Sequence, residues 1–168
     1  VLDSNARIIS LKPKMLGDIW DDIQNVADQL SVSGNAFREE VESRIKAAQT
    51  RLADKPHPLP KVLTIEWVDP VYIGGMWLPE MIELAGGSVC LAKSGQPAPV
   101  VNLEDLAKIE PDVVVVKPCG YKLEQTLKEL ELLKQQLPEW SQPPRIYLVD
   151  GNSYFNRPGP RILDSLEI

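Results

Sequence analysis

Histidine is almost missing from this chain. His57 is the single one in 168 residues. It lies in the Pro-rich run Lys55-Pro56-His57-Pro58-Leu59-Pro60, where an imidazole is ordinarily solvated. A Ser-His-Asp or Cys-His catalytic arrangement would rest on that one residue. Cysteine is scarce as well: Cys90 and Cys119 are the only two. They are too few for a disulfide framework and lack the CxxC spacing of a zinc site. No apolar run approaches the roughly 20 residues that a membrane-spanning helix needs. No Lys/Arg cluster tracks a phosphate backbone, so nucleic acid is excluded as a partner class. No Gly-rich phosphate loop of the GxGxxG or Walker type is present, and no acid/base pair stands at an evident spacing. Val1-Leu2-Asp3-Ser4-Asn5 lacks the basic start and apolar core of a signal peptide.

What is present reads as a globular α/β chain. Hydrophobic residues make up 43% and charged residues 25%, the balance of a soluble domain. The net charge of −6 favours solubility. Arg7-Ile8-Ile9-Ser10-Leu11 predicts a short strand. Ile19, Ile23, Val26 and Leu30 recur on one helical stripe, and Ser31-Val32-Ser33-Gly34-Asn35 breaks that helix. A second helix is expected from about Ala36 to Asp54, with Phe37, Val41, Ile45, Ala48 and Leu52 as its apolar stripe. Glu40–Arg44 and Glu42–Lys46 are i,i+4 pairs in the favourable orientation. Such a helix either connects two lobes or covers one sheet face. Pro56, Pro58 and Pro60 end it as a stiff linker.

Beyond the linker, strands and helices alternate. Strands are predicted at Val62–Ile65, Val100-Val101, Val113–Val116 and Ile146–Val149. Helices are predicted at Leu78–Ala85, closed by Gly86-Gly87, at Leu103–Ile109 with Asn102 as N-cap, at Leu123–Gln136, and from about Pro160. Near-continuous β-branched strands between helices predict a parallel sheet covered on both faces.

Three of these strands run into loops loaded with aromatic residues. Val62–Ile65 leads to Glu66-Trp67-Val68-Asp69-Pro70, then Tyr72, Gly74, Gly75 and Trp77. Val113–Val116 leads to Lys117-Pro118-Cys119-Gly120-Tyr121. Ile146–Val149 leads to Asp150-Gly151-Asn152-Ser153-Tyr154-Phe155-Asn156-Arg157. Ligands of open α/β sheets bind beyond the carboxyl ends of the strands. Flat side chains at three such ends predict a wall for a large, flat, partly apolar ligand.

The segment Glu66-Trp67-Val68-Asp69-Pro70-Val71-Tyr72-Ile73-Gly74-Gly75-Met76-Trp77-Leu78-Pro79-Glu80 resembles the corresponding part of cobalamin-type substrate-binding proteins of ABC transporters. Arg7–Leu11 with the helix start at Leu16–Asp22, Lys117–Tyr121, and Asp150–Arg161 agree in the same order. The resemblance implies two α/β lobes joined by one long helix, with little hinge motion. On this mapping residues 1–33 are the tail of the first lobe, 34–59 the connector helix and Pro-rich linker, and 60–168 the second, three-layer α/β lobe with a parallel sheet. The first lobe would be largely missing. Val1 is not a Met and Ile168 follows closely on the start of the last helix, so both ends read as cut.

The implied function is binding of a corrinoid between the lobes and its delivery to a permease, without catalysis and with no catalytic cofactor or bound metal. The candidate ligand contacts are Trp67, Tyr72, Trp77, Cys119, Gly120, Tyr121, Asn152, Tyr154, Phe155 and Arg157. Trp77 either lies flat on the macrocycle or folds back as a lid on its own lobe. Trp67 either faces the ligand or caps the sheet end. Cys119 either ligates a thiophilic metal or is an inert strand-end thiol, and Cys90 reads as core. Asp150, Asn152 and Asn156 either bond corrinoid amides or form the turn. The family docks its permease through an exposed carboxylate on each lobe, a role open to Glu80 or Glu83. Alternatives are a siderophore, haem or other metal-chelate binder of the same fold, an interaction domain without transport, and an α/β enzyme using Asp69, Cys119 or Asp150. A removed leader would place the protein in the periplasm or on the outer face as a lipoprotein; a cytoplasmic site is the other option.

Overall fold

The computed structural model describes residues 7–52 and 58–168. Two helices come first, α1 (Leu16–Gln29) and α2 (Asn35–Leu52). The α/β part then runs β1 (Lys61–Val68), β2 (Val71–Ile73), α3 (Leu78–Leu84), β3 (Ser88–Val89), α4 (Leu103–Ala107), β4 (Val113–Val116), α5 (Leu123–Lys128), α6 (Leu130–Gln136), β5 (Arg145–Leu148) and α7 (Ile162–Glu167). The sheet order is β2-β1-β4-β5. The ladders β1–β4 and β4–β5 are parallel, in the registers Val62↔Val113 to Ile65↔Val116 and Val113↔Arg145 to Val116↔Leu148. The other side of β1 is shared. Its start pairs in parallel with β3, and its end pairs antiparallel with β2.

Strand alternation divides the core. Leu63 and Ile65 of β1 and Val114 and Val116 of β4 point to one face, where they meet Leu106 of α4 and Leu133 of α6. Cys90 joins this cluster, as expected. The indole of Trp140 closes its rim by donating to the Leu106 carbonyl at 3.0 Å. The opposite face carries Val62, Thr64, Val113 and Val115, with α3 and α7 over it and a cavity of about 270 Å³ between. A second apolar cluster holds Leu16 and Ile19 of α1, Leu78 and Met81 of α3, Phe155, and Ile162 of α7. The expected α/β fold with a mainly parallel sheet is therefore present, but the expected cover stops short of β5, where Ile146 and Tyr147 are exposed.

Several local expectations match. Asn102 caps α4 by accepting the Asp105 N–H at 2.8 Å. Gly86 turns the chain after α3 at φ +82°, and Gly87 N–H returns to the Ile82 carbonyl at 2.8 Å. In α2, Val41 and Ala48 are buried, and Trp20 of α1 meets Phe37 edge-on at 5.9 Å. Arg44 bonds Glu40, and also reaches Asp164 and Glu167 of α7 at 2.9 Å each. The hydrogen bonds to Glu167 and then Asp164 hold its guanidinium above its ordinary range. This ties α2 to α7, although half-exposed carboxylates make salt-screened pairs.

Other expectations are corrected. Residues 7–11 form no strand; no neighbouring strand offers them a ladder, and Ile8 stays exposed. Val100 makes only an isolated bridge to Tyr72, because a single partner residue cannot propagate a strand. The single helix expected over Leu123–Gln136 is two, interrupted at Glu129. The apolar stripe of α1 is buried only near its start, and Leu30 is exposed. Among the described residues, Glu42 and Lys46 form no ion pair. Ala53, Asp54, Pro56 and His57 lie outside the described residues.

Leu106 is fully buried where α4 meets the sheet. Leu106→Ala is expected to lower unfolding stability by about 2–5 kcal/mol through lost burial and the cavity left behind. Urea denaturation followed by Trp fluorescence measures it, and a loss below about 1 kcal/mol would show that α4 contributes little to the core.

Candidate functional site

The residues beyond the carboxyl ends of β1 and β4 and of the β5 ladder converge. Past Val116 the parallel ladder continues in loop backbone: Lys117 N–H donates to Ile65 O at 2.9 Å and Cys119 N–H to Glu66 O at 3.0 Å. Asn152 N–H donates to Tyr121 O at 3.0 Å, joining the β5–α7 loop to the β4–α5 loop. Within the β5–α7 loop, Asp150 accepts from the Ser153 N–H at 2.7 Å and hydroxyl at 3.0 Å. Its carboxylate is used to close the turn.

Trp67 and Tyr121 form the aromatic part of the rim. Their rings meet edge-on, 5.3 Å apart at 68°. The β1–β2 hairpin sets Tyr72 opposite Trp67 in register. Cys119 and Gly120 are exposed on the same rim, Gly120 turning the chain at φ +76°. Arg157 is exposed beside it and holds Asn152, donating to its side-chain oxygen at 2.7 Å and its carbonyl at 3.3 Å.

Trp77 is placed differently. It is half-buried against the second apolar cluster, and its indole N–H donates to Phe155 O at 3.0 Å. Phe155 is itself buried, and Tyr154 packs on the same cluster. These three face this second apolar cluster rather than the Trp67–Tyr121 rim. The turn that carries Trp77 is clamped from outside. Met76 N–H donates to Gln96 O at 2.7 Å and Gly95 N–H to Met76 O at 2.9 Å. Met76 is a non-glycine residue at φ +54°, a conformation that neighbouring structure must enforce. At Gly75 a Cβ would lie 2.5 Å from Ala98 N and 2.6 Å from Gln96 O.

Under the rim lies a group that the sequence reading did not single out. Lys117 is 0% exposed. Its Nζ donates to Asn156 Oδ1 at 2.6 Å and stands 3.6 Å from Glu66 Oε2. Asn156 Nδ2 donates back to Lys117 O at 2.9 Å. Glu66 also accepts from Gly75 N–H at 3.4 Å and from the Cys119 thiol at 3.1 Å. Burial lowers the Lys117 ammonium's pKa, and the Glu66 charge opposes this. Partial burial, and then the Glu66 carboxylate, push the Cys119 thiol up to about 11. The missed signal was period-two alternation: Val113, Val115 and Lys117 share a face, as do Val62, Thr64 and Glu66.

Of the two docking candidates, Glu80 is engaged internally and accepts the Leu16 N–H at the start of α1 at 2.7 Å; Glu83 is exposed. Among the described residues, no group of three or more His, Cys, Asp or Glu side chains is arranged to hold a metal ion. No helix among them is long and apolar enough to cross a membrane.

A family profile described as periplasmic binding protein matches residues 19–146. No match was found among curated protein sequences. Solved structures share the fold. A possible iron-binding periplasmic solute-binding protein of Staphylococcus epidermidis superposes with a TM-score of 0.71 at 16% identity, over 97% of this chain and 64% of its own. The periplasmic vitamin B12-binding protein of Vibrio cholerae gives 0.69 at 20% identity, over 97% and 63%. A periplasmic haem-binding protein of Pseudomonas aeruginosa gives 0.71 at 19% identity, over 91% and 58%. The chain thus spans less than two thirds of the length of each of these structures.

Two outcomes follow from this geometry. Gly75→Ala is expected to lower Tm and to expose the Trp77 indole, read as a red shift in its emission; an unchanged spectrum would mean that the turn yields without moving Trp77. Cys119 is expected to react with iodoacetamide at pH 7 at least about tenfold more slowly than a free cysteine, with the rate still climbing toward pH 11, because the thiolate is the reacting form. Mass-spectrometric alkylation kinetics decide it, and a plateau near pH 8 would contradict the raised pKa.

Proposed function

The chain belongs to the periplasmic binding protein family, and we propose that it serves as a substrate-binding component of an ABC transporter, taking a bulky metal chelate, a corrinoid first, at the Trp67–Tyr121 rim. The observation that carries this reading is the aromatic pair at the carboxyl ends of parallel strands, with Tyr72 in register and Cys119 beside it. Edge-on rings of this kind offer large apolar contact at low conformational cost. Asn152 and Arg157 supply hydrogen-bonding groups for the polar periphery of such a ligand. The rim is one wall of a cleft, with residues 60–168 as the lobe that bears it and α2 as the connector.

The ligand is bound without chemistry. Cys119 stays a thiol at neutral pH, and Asp150 is occupied by Ser153, so neither of these two strand-end groups stands ready as a nucleophile or base. Glu83, exposed on the last turn of α3, is the carboxylate offered to a permease, while Glu80 caps α1. The setting is extracytoplasmic. A haem or another metal chelate is the second reading, supported by the same flat aromatic surface and by the haem-binding relative of the same fold.

Titration with hydroxocobalamin and, in parallel, with haemin tests the assignment, followed by Trp quenching and the chelate's visible spectrum. Saturable binding is expected for one of the two, weakened at least about tenfold by Trp67→Ala and by Tyr121→Ala, the loss typical of a central aromatic anchor. Binding that ignores both substitutions, or no binding of either chelate, would sink the reading.

A further inference from the structure

Resting on the reading of the rim as a ligand platform, we infer that Lys117 is a positioning residue for ligand binding, tying the strand-end loops, with Asn156 and Glu66, into a platform that is set before the ligand arrives. Lys117 is wholly buried, so it acts through other residues. Its stem runs under Gly74, where a Cβ would lie 3.3 Å from Lys117 Cε.

Packing alone does not call for an ammonium there. Removing a charge from water is costly, and replacing a buried ion pair with apolar side chains of similar volume is often neutral or stabilising. What the charge adds is direction. From Nζ one connection leads to Asn156 in the β5–α7 loop and another to Glu66 at the end of β1. Glu66 reaches Gly75 before α3 and Cys119 after β4. The circuit closes where Trp77, two residues beyond Gly75, donates to Phe155 O, one residue before Asn156. No loop of the four can swing outward without stranding a partner of a buried charge, which is costly. A platform ordered in advance spares the ligand the cost of ordering it.

Amide hydrogen exchange on the ligand-free protein, together with the two chelate titrations, tests this on Lys117→Met, Asn156→Ala and Asn156→Asp. Asn156→Ala serves if Lys117→Met does not fold. In Lys117→Met or Asn156→Ala, exchange in residues 66–76, 117–121 and 150–157 is expected to rise together by at least about tenfold, while Leu63, Ile65 and Val114 keep their protection. Asn156→Asp keeps an acceptor for Nζ but loses the Nδ2 donor to Lys117 O, and is expected to fall between wild type and Asn156→Ala. Chelate affinity is expected to fall by at least about tenfold in the first two variants.

Faster exchange confined to the substituted loop, or spread evenly through the sheet, would overturn the inference, as would an Asn156→Asp variant as loose as Asn156→Ala. Affinity lost in Trp67→Ala but intact in Lys117→Met or Asn156→Ala would overturn it while leaving the proposed function standing. If wild type binds neither chelate, the proposed function fails, and the exchange pattern alone decides whether Lys117 holds the loops.

Discussion

A lysine ammonium with no access to water governs the end of this sheet that bears the rim. Lys117 continues the face of Val113 and Val115, so strand alternation drives it inward. Once inward, its charge must find partners or be lost. The partners available at that depth are Asn156 and Glu66, each from a different segment of chain. Satisfying one buried cation thus brings β1, β4 and the β5–α7 loop to a common point. Gly151 allows that approach, since a Cβ there would run into the backbone oxygens of Lys117 and Pro118.

A bulge sorts the first aromatic residues. The β1–β2 register shifts between Ile65 and Trp67, so Trp67 does not follow Ile65 into the core; it stands across the hairpin from Tyr72 and meets Tyr121 on the rim. Trp77 has an alternative that Trp67 lacks. Its turn is clamped by the 95–98 segment, and α1, α3 and α7 provide an apolar bed with a carbonyl for the indole N–H. An indole that can bury its ring and still satisfy its donor does so. Glu80 follows the same logic, because the start of α1 offers it a partly buried N–H partner.

Much of the fold was legible in the residues. A run such as Val113–Val116 allows few structures besides a covered strand, whereas the similar run in β5 leaves Ile146 and Tyr147 exposed, and Asn102 and Gly86 mark helix ends by local chemistry alone. The errors over strands share one cause. β2 and β3 are two or three residues long and exist only because β1 lends them an edge. Residues 7–11 have a strand's composition and no edge to join. The gathering of aromatic residues near the strand ends was also legible; their division between rim and interior was not.

The sequence by itself determined the α/β class, the alternation of buried and covered faces, and the chemistry concentrated after β1, β4 and β5, because periodicity and capping act over a few residues. Tertiary structure alone decided which of those groups meet. Glu66 and Lys117 are 51 positions apart, Lys117 and Asn156 are 39 apart, and Trp77 and Phe155 are 78 apart. Contacts over such separations are selected by the need to give the buried Lys117 ammonium and the Trp77 indole N–H partners in the same structure. That need belongs to the folded molecule, and no local stretch of the chain carries it.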